Sequence, residues 1–153
     1  MKSLIIYHSQ YKKNTEKIAK LFAEKLGADL LSAGEVKEVN IADYDLIGFG
    51  SGVYAETMSP KIFKAAEGLE LKGKDVFVFS TNGVGAKYYN NKLIKLLESK
   101  GAINKGSFAC KGYFVASDFT KVKMFELMGR LTVGHPNESD LKKAEKFILS
   151  LKK

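Results

Sequence analysis

The order of residues predicts an α/β fold built on a mainly parallel sheet. Apolar runs of strand length alternate with segments of helical period, as they do in βαβ units. The first of those runs, Ser3 to Tyr7, is continuously apolar rather than alternating, as expected of a central strand covered on both faces. The size agrees: 153 residues, 45% hydrophobic and 27% charged, make one soluble domain over 1–153 that can bury a core without disulfide or metal staples.

The first strand is Ser3 to Tyr7. A helix follows from Asn14 or Thr15 to Leu26, with Ile18, Leu21, Phe22 and Leu26 at helical spacing and Gly27 as its stop. A weaker strand lies at Asp29 to Ser32, and a central one at Leu46 to Phe49 with Gly48 and Gly50 at its end. Ser59-Pro60 is a helix entry, because Ser caps exposed amides and Pro is tolerated at the first helical position, so a helix runs from Pro60 towards Gly68.

The fourth strand is Val76 to Ser80, and a helix from Tyr89 to Ser99 carries Leu93, Leu96 and Leu97 inward before Gly101. A fifth strand falls near Phe108 to Val115. The last helix, Ser139 to Leu151, has Leu141, Ala144, Ile148 and Leu151 on one face and Asn137 or Ser139 as its cap. Asp118 to Arg130 reads either as a short helix or as an insertion around the fifth strand.

The formal charge of +8 raises nucleic acid as a partner, but the lysines are scattered among Glu and Asp with no long basic run, so a solvated surface explains them better. An acidic protein partner stays open if folding gathers them into a patch. No signal-peptide core or membrane-length apolar run is present, which makes a cytoplasmic location the expectation. Cys110 is a lone cysteine in the apolar stretch Phe108-Ala109-Cys110 and reads as a buried structural thiol.

In open α/β sheets ligands bind outside the carboxyl ends of the strands, so the loops after strands one, three and four are the places for chemistry. Loop one, His8-Ser9-Gln10-Tyr11-Lys12-Lys13-Asn14-Thr15, is donor-rich and opens a helix, whose first amides and dipole suit an anion. The plainer reading is that Asn14 or Thr15 only caps that helix. Loop two, Gly50-Ser51-Gly52-Val53-Tyr54, places two glycines and an aromatic where a planar ring could approach the backbone and stack. Loop three, Thr81-Asn82-Gly83-Val84-Gly85-Ala86 followed by Lys87, Tyr88 and Tyr89, repeats the theme. Each alone is a tight turn with a surface tyrosine; together they outline a site for a phosphorylated flat heterocycle.

At this point the sequence resembles a known family. Tyr7-His8-Ser9 through Asn14-Thr15-Glu16-Lys17-Ile18-Ala19 is similar to the phosphate loop and first helix of the flavodoxins. Gly48 to Tyr54 resembles their second flavin loop, Ser80 to Gly85 their third, and Gly134-His135-Pro136-Asn137-Glu138-Ser139-Asp140-Leu141 the segment before their final helix. The resemblance spans nearly the whole chain. It implies a doubly wound, five-stranded parallel sheet of order 2-1-3-4-5 with helices on both faces. It also implies FMN, with its phosphate on Ser9 to Thr15 and its isoalloxazine between the loops of Tyr54 and Gly83. The cofactor-binding set so implied is Ser9, Gln10, Tyr11, Lys12, Lys13, Asn14 and Thr15; Ser51, Gly52, Val53 and Tyr54; and Thr81, Asn82, Gly83, Val84, Gly85 and Tyr88.

Two departures stand out. The phosphate loop is one residue longer than the common family pattern, and Tyr11, Lys12 and Lys13 stand where small hydroxyl residues and a glycine are usual. Lys12 and Lys13 either replace lost hydrogen bonds with charge or face solvent. The chain is also basic where familiar flavodoxins are acidic, so Coulomb attraction implies a less negative lower potential for bound flavin, screened by salt.

The function implied by the resemblance is a one-electron carrier passing between flavin semiquinone and hydroquinone for larger redox proteins, with Tyr54 as the main stacking residue and no acid–base residue required. The alternative is a flavin-dependent oxidoreductase of quinone or protoporphyrinogen type on the same fold, in which His8 rather than His135 lies near the phosphate loop. A receiver domain of the same topology is disfavoured because no acidic cluster for Mg²⁺ follows strand one. A flavin-free interaction module is the remaining alternative.

Overall fold

Strand β1 (Ser3–His8) sits between β2 (Asp29–Ser32) and β3 (Leu46–Tyr54), parallel to both, and β5 (Asp75–Asn82) and β6 (Ile103–Lys111) continue the sheet in parallel beyond β3. The protein is described by a computed structural model over residues 1–9, 13–54, 56–113 and 130–152. Counted along the parallel strands, the order is the expected 2-1-3-4-5. A two-residue strand β4 (Thr57–Met58) folds back antiparallel on the end of β3 and makes the sheet six-stranded.

Helices α1 (Asn14–Leu26), α2 (Pro60–Glu67), α3 (Asn91–Ser99) and α4 (Glu138–Ser150) cover the two faces. Strand alternation sorts the side chains. Leu4, Ile6, Ile47, Phe49, Val76 and Val78 join Ile62 of α2 and Leu93 and Leu97 of α3 on one face. Ile5, Phe77, Phe79 and Phe108 join Ile18 and Phe22 of α1 and Ala144 and Ile148 of α4 on the other. Phe22 is the hub of that second layer, edge-on to Phe79 at 5.0 Å and to Phe77 and Phe108 at 5.8 Å. Truncating it to Ala would cost about 3–5 kcal/mol.

Element ends depart from the sequence reading for definable reasons. The central strand runs five residues past Phe49, through Gly50 to Tyr54, because Gly48 and Gly50 are strand residues whose missing side chains are replaced by neighbouring rings. A Cβ on Gly48 would lie 2.3 Å from the ring of Phe77, and one on Gly50 2.1 Å from the ring of Phe79. Strand β6 starts at Ile103, not Phe108, and ends at Lys111. Its polar first half pairs on one side only, and a register shift there is held by Asn104, whose side chain accepts from the Gly106 amide at 3.1 Å.

The third helix begins at Asn91 after a 3-10 turn over Lys87–Asn90. Gly27 ends α1 in the left-handed conformation (φ 64°), its amide returning to Ala23 and Glu24. Asn137 rather than Ser139 caps α4, accepting from the Asp140 amide at 2.9 Å while Asp140 accepts from the Asn137 amide at 2.8 Å. Gln10, Tyr11 and Lys12, and the ambiguous segment as far as residue 129, lie outside the described residues. Among the described residues no helix is long and apolar enough to cross a membrane.

Candidate functional site

The chain turns from β1 to β2 in one direction and then crosses to β3 on the other side, so a crevice opens at the carboxyl ends of β1 and β3. Every helix that follows a parallel strand points its N-terminus to this end of the sheet, which brings loops one, two and three together.

Loop one enters α1 through Lys13, held in the left-handed region (φ 54°, ψ 30°) with no side-chain cap on the helix. Ser9 Oγ accepts from the Glu16 amide at 3.1 Å. The Asn14 and Thr15 amides precede the first possible intrahelical bond, so helix geometry leaves them as outward donors for an anion. The side chains of these two residues turn inward: Asn14 donates to the Tyr113 carbonyl at 2.9 Å, and Thr15 pairs with Thr81 through their hydroxyls at 2.8 Å. Glu16, in the first turn, accepts from the Tyr7 hydroxyl at 3.0 Å; burial first, then this bond, pushes the Tyr7 phenol above its usual value.

Loop two is mostly strand. Ser51 is buried, donates to the Gly52 carbonyl at 2.6 Å and accepts from the Ser59 amide at 2.9 Å, which ties β3 to the entry of α2. Gly52 and Tyr54 lie on the α1 face, with the Tyr54 hydroxyl 2.8 Å from where a Gly52 Cβ would stand. The tyrosine ring therefore folds back over bare backbone. Val53 belongs to the opposite face and pairs with Met58.

Loop three is built by one side chain. Buried Asn82 accepts from the Val84 amide at 3.2 Å and the Ala86 amide at 2.9 Å, and donates to the Ala86 carbonyl at 3.0 Å. It shapes the turn through Gly83 and Gly85 (φ 70°) and leaves Val84 and Tyr88 exposed, with Tyr88 edge-on to Tyr89. Lys87 is exposed as well.

A fourth wall was not anticipated from the sequence. After β6 the Gly112 amide donates to the Asn82 carbonyl at 3.1 Å, and the Tyr113 amide to the His135 carbonyl at 2.9 Å. A Cβ on Gly112 would meet Asn14 Nδ2 at 2.8 Å and Thr81 Cβ at 3.1 Å. The available signal was Gly112-Tyr113 itself, the same glycine–aromatic pairing that marks loop two. His135 sits in this wall with Nδ1 2.5 Å from Asp140 Oδ2, while His8 ends β1 beside Ser51. Cys110 is buried beneath it, its thiol pushed up to about 12 by burial.

A flavodoxin-domain family model matches residues 4–137, which takes in nearly all of the sheet and the helices α1 to α3. The chain belongs to the flavodoxin family. An uncharacterized protein from Methanocaldococcus jannaschii is 42% identical over 155 residues, spanning 100% of this chain and 99% of that one. Among solved structures, a flavodoxin from the domain Archaea superposes with a TM-score of 0.65 at 13% identity, over 99% of this chain and 96% of that chain. A flavoprotein in complex with FMN from Lactobacillus acidophilus superposes with a TM-score of 0.57 at 18% identity, over 69% of this flavodoxin-family chain and 91% of its own.

Proposed function

We propose that this flavodoxin-family protein binds FMN without a covalent bond and serves as an electron carrier. The observation that carries the reading is the pair of outward amides of Asn14 and Thr15, beside exposed Lys13, at the switch point between β1 and β3. The rule that ligands bind at such a point is drawn in part from flavodoxins themselves, where FMN occupies it. A fold neighbour carries FMN.

The donor set fits the cofactor. Two amides and an ammonium suit a phosphate monoester, Gly52 under Tyr54 offers backbone and an aromatic face to a flat ring, and the turn held by Asn82 supplies the opposite wall. Bound FMN would supply the redox chemistry. The protein's share is to hold the phosphate, to keep water from one face of the ring with Tyr54, and to set local charge through Lys13. The side chains of Asn14 and Thr15 hold the site from below.

An anaerobic reductive titration of the protein with added FMN, followed by visible absorbance, tests the reading. Perturbed flavin bands and two resolved one-electron steps support a carrier. A single two-electron step would move the assignment to an oxidoreductase on the same fold, and a spectrum identical to free FMN would overturn it.

A further inference from the structure

Folding gathers several of the lysines that look scattered in sequence at one end of the sheet. Towards the amino ends of the strands several are engaged, though among the described residues Lys72 and Lys105 are not: Lys74 donates to the Ala42 and Tyr44 carbonyls, Lys100 to the Glu67 carbonyl, Lys25 pairs with Glu145, and Lys2 lies over the Tyr44 ring.

At the carboxyl end Lys92 lies over the Phe63 ring and Lys20 and Lys142 are paired, but a larger group is not. Lys13 and Lys17 at the start of α1, Lys61 at the start of α2, Lys87 after β5 and Lys111 at the end of β6 form no ion pair among the described residues. Helix N-termini disfavour cations by a few tenths of a kcal/mol each, roughly 0.3–1 in exposed positions, so folding does not ask for lysine there. The carboxylates at this end are mostly compensated. Glu16 is held by Tyr7 and Lys20, Glu138 by Lys142, and Asp140 by His135 and the Asn137 amide. Glu56 stands exposed without such a partner among the described residues.

The same end exposes apolar side chains. Tyr88 and Val84 in loop three are 72% and 47% exposed, and Leu131 and Val133, in the turn tied to Tyr113, are 60% and 65% exposed. Uncovered apolar side chains with a charged surround are the make-up of a transient protein interface, whereas a nucleic-acid backbone would call for the cations alone.

We infer that this end is a docking face for a small acidic redox protein. The inference rests on the electron-carrier reading for its purpose, since the face surrounds the proposed cofactor site. Each electron the partner gives up is one gained at the cofactor, so no further reactant is needed. Complementary charge would act mainly on encounter rate and orientation, and would fade with salt.

The test is a titration of the isotope-labelled protein, with and without FMN, by three probes: an acidic ferredoxin, a basic cytochrome c and a short DNA duplex. At low salt the ferredoxin should shift the amides of Lys61, Val84, Lys87 and Tyr88, with affinity falling about tenfold as salt rises to about 0.3 M. A Lys61→Glu/Lys87→Glu variant should bind it at least about tenfold more weakly while keeping its affinity for FMN. Shifts elsewhere, indifference to salt, an unchanged variant, or equal perturbation by cytochrome c or DNA would overturn the docking face. Failure of the carrier reading shows separately, as absence of FMN binding in the same samples or as a single two-electron step in their reductive titration.

Discussion

Thr15 and Thr81 meet through their hydroxyl oxygens at 2.8 Å, both buried, and so fasten the first turn of α1 to the end of β5 directly beneath the candidate site. Thr81 also stands opposite Gly52 in the sheet, so this bond sets the depth of the crevice floor as well as the seating of the helix. Removing one hydroxyl leaves its partner buried and unpaired. Thr81→Val should therefore lose about 1–3 kcal/mol, and the double variant Thr15→Val/Thr81→Val should recover much of that loss. Urea unfolding of the four proteins in the cycle measures it, and additive losses would show that the hydroxyls are not coupled.

Gly50 is the tightest position in the sheet, since its absent side chain is where the Phe79 ring lies. Gly50→Ala should destabilise by about 1–3 kcal/mol, lowering the melting temperature by several degrees. Gly34, with nothing within 4 Å of an added Cβ, serves as the control. Gly34→Ala should melt within a degree or two of the parent.

Tyr54 covers the backbone of Gly52 on the α1 face. If that ring packs against the flavin, Tyr54→Ala weakens FMN by about tenfold, the equivalent of one aromatic contact of about 1.4 kcal/mol. Quenching of FMN fluorescence on titration with apoprotein reads the change. Unaltered affinity would remove Tyr54 from the binding surface.

Asn82 spans its own turn with three hydrogen bonds to residues 84 and 86. Asn82→Ala frees the half-buried amides of that loop and should cost about 0.5–1.5 kcal/mol in unfolding experiments, with a parallel loss of FMN affinity. Asn82→Asp keeps the acceptor for both amides and should recover part of both quantities.

Cys110 makes stability depend on alkaline pH. Burial raises its thiol from 9.0 to about 12, with the Asp140 carboxylate as a lesser cause. The folded chain then keeps a proton that the unfolded chain releases, so the contribution is intact below about pH 9 and declines by about 1.4 kcal/mol per pH unit between the two values. Tyr44, also raised to about 12 by its bond to Asp29, adds to the fall from about pH 10 upward. Cys110→Ala should flatten the fall seen by urea unfolding from about pH 9 to 10.5, and an identical profile would contradict a buried neutral thiol.

What could be read in the sequence was whatever depends on neighbours along the chain. Ile18, Phe22 and Leu26 announce the inner face of α1, Ser59-Pro60 its successor's start, and the continuous run Leu4 to Ile6 a strand covered on both faces. The glycine–aromatic loops could be recognised for the same reason. What the tertiary structure decided was which groups meet across the sheet. Gly50 is a strand residue because Phe79 comes from the next strand, Thr15 and Asn14 turn inward because Thr81 and Tyr113 wait for them, and Lys61 and Lys87 share one end because successive helices start there. Periodicity records the direction in which a side chain points, but its partner is fixed only when distant strands are brought into register.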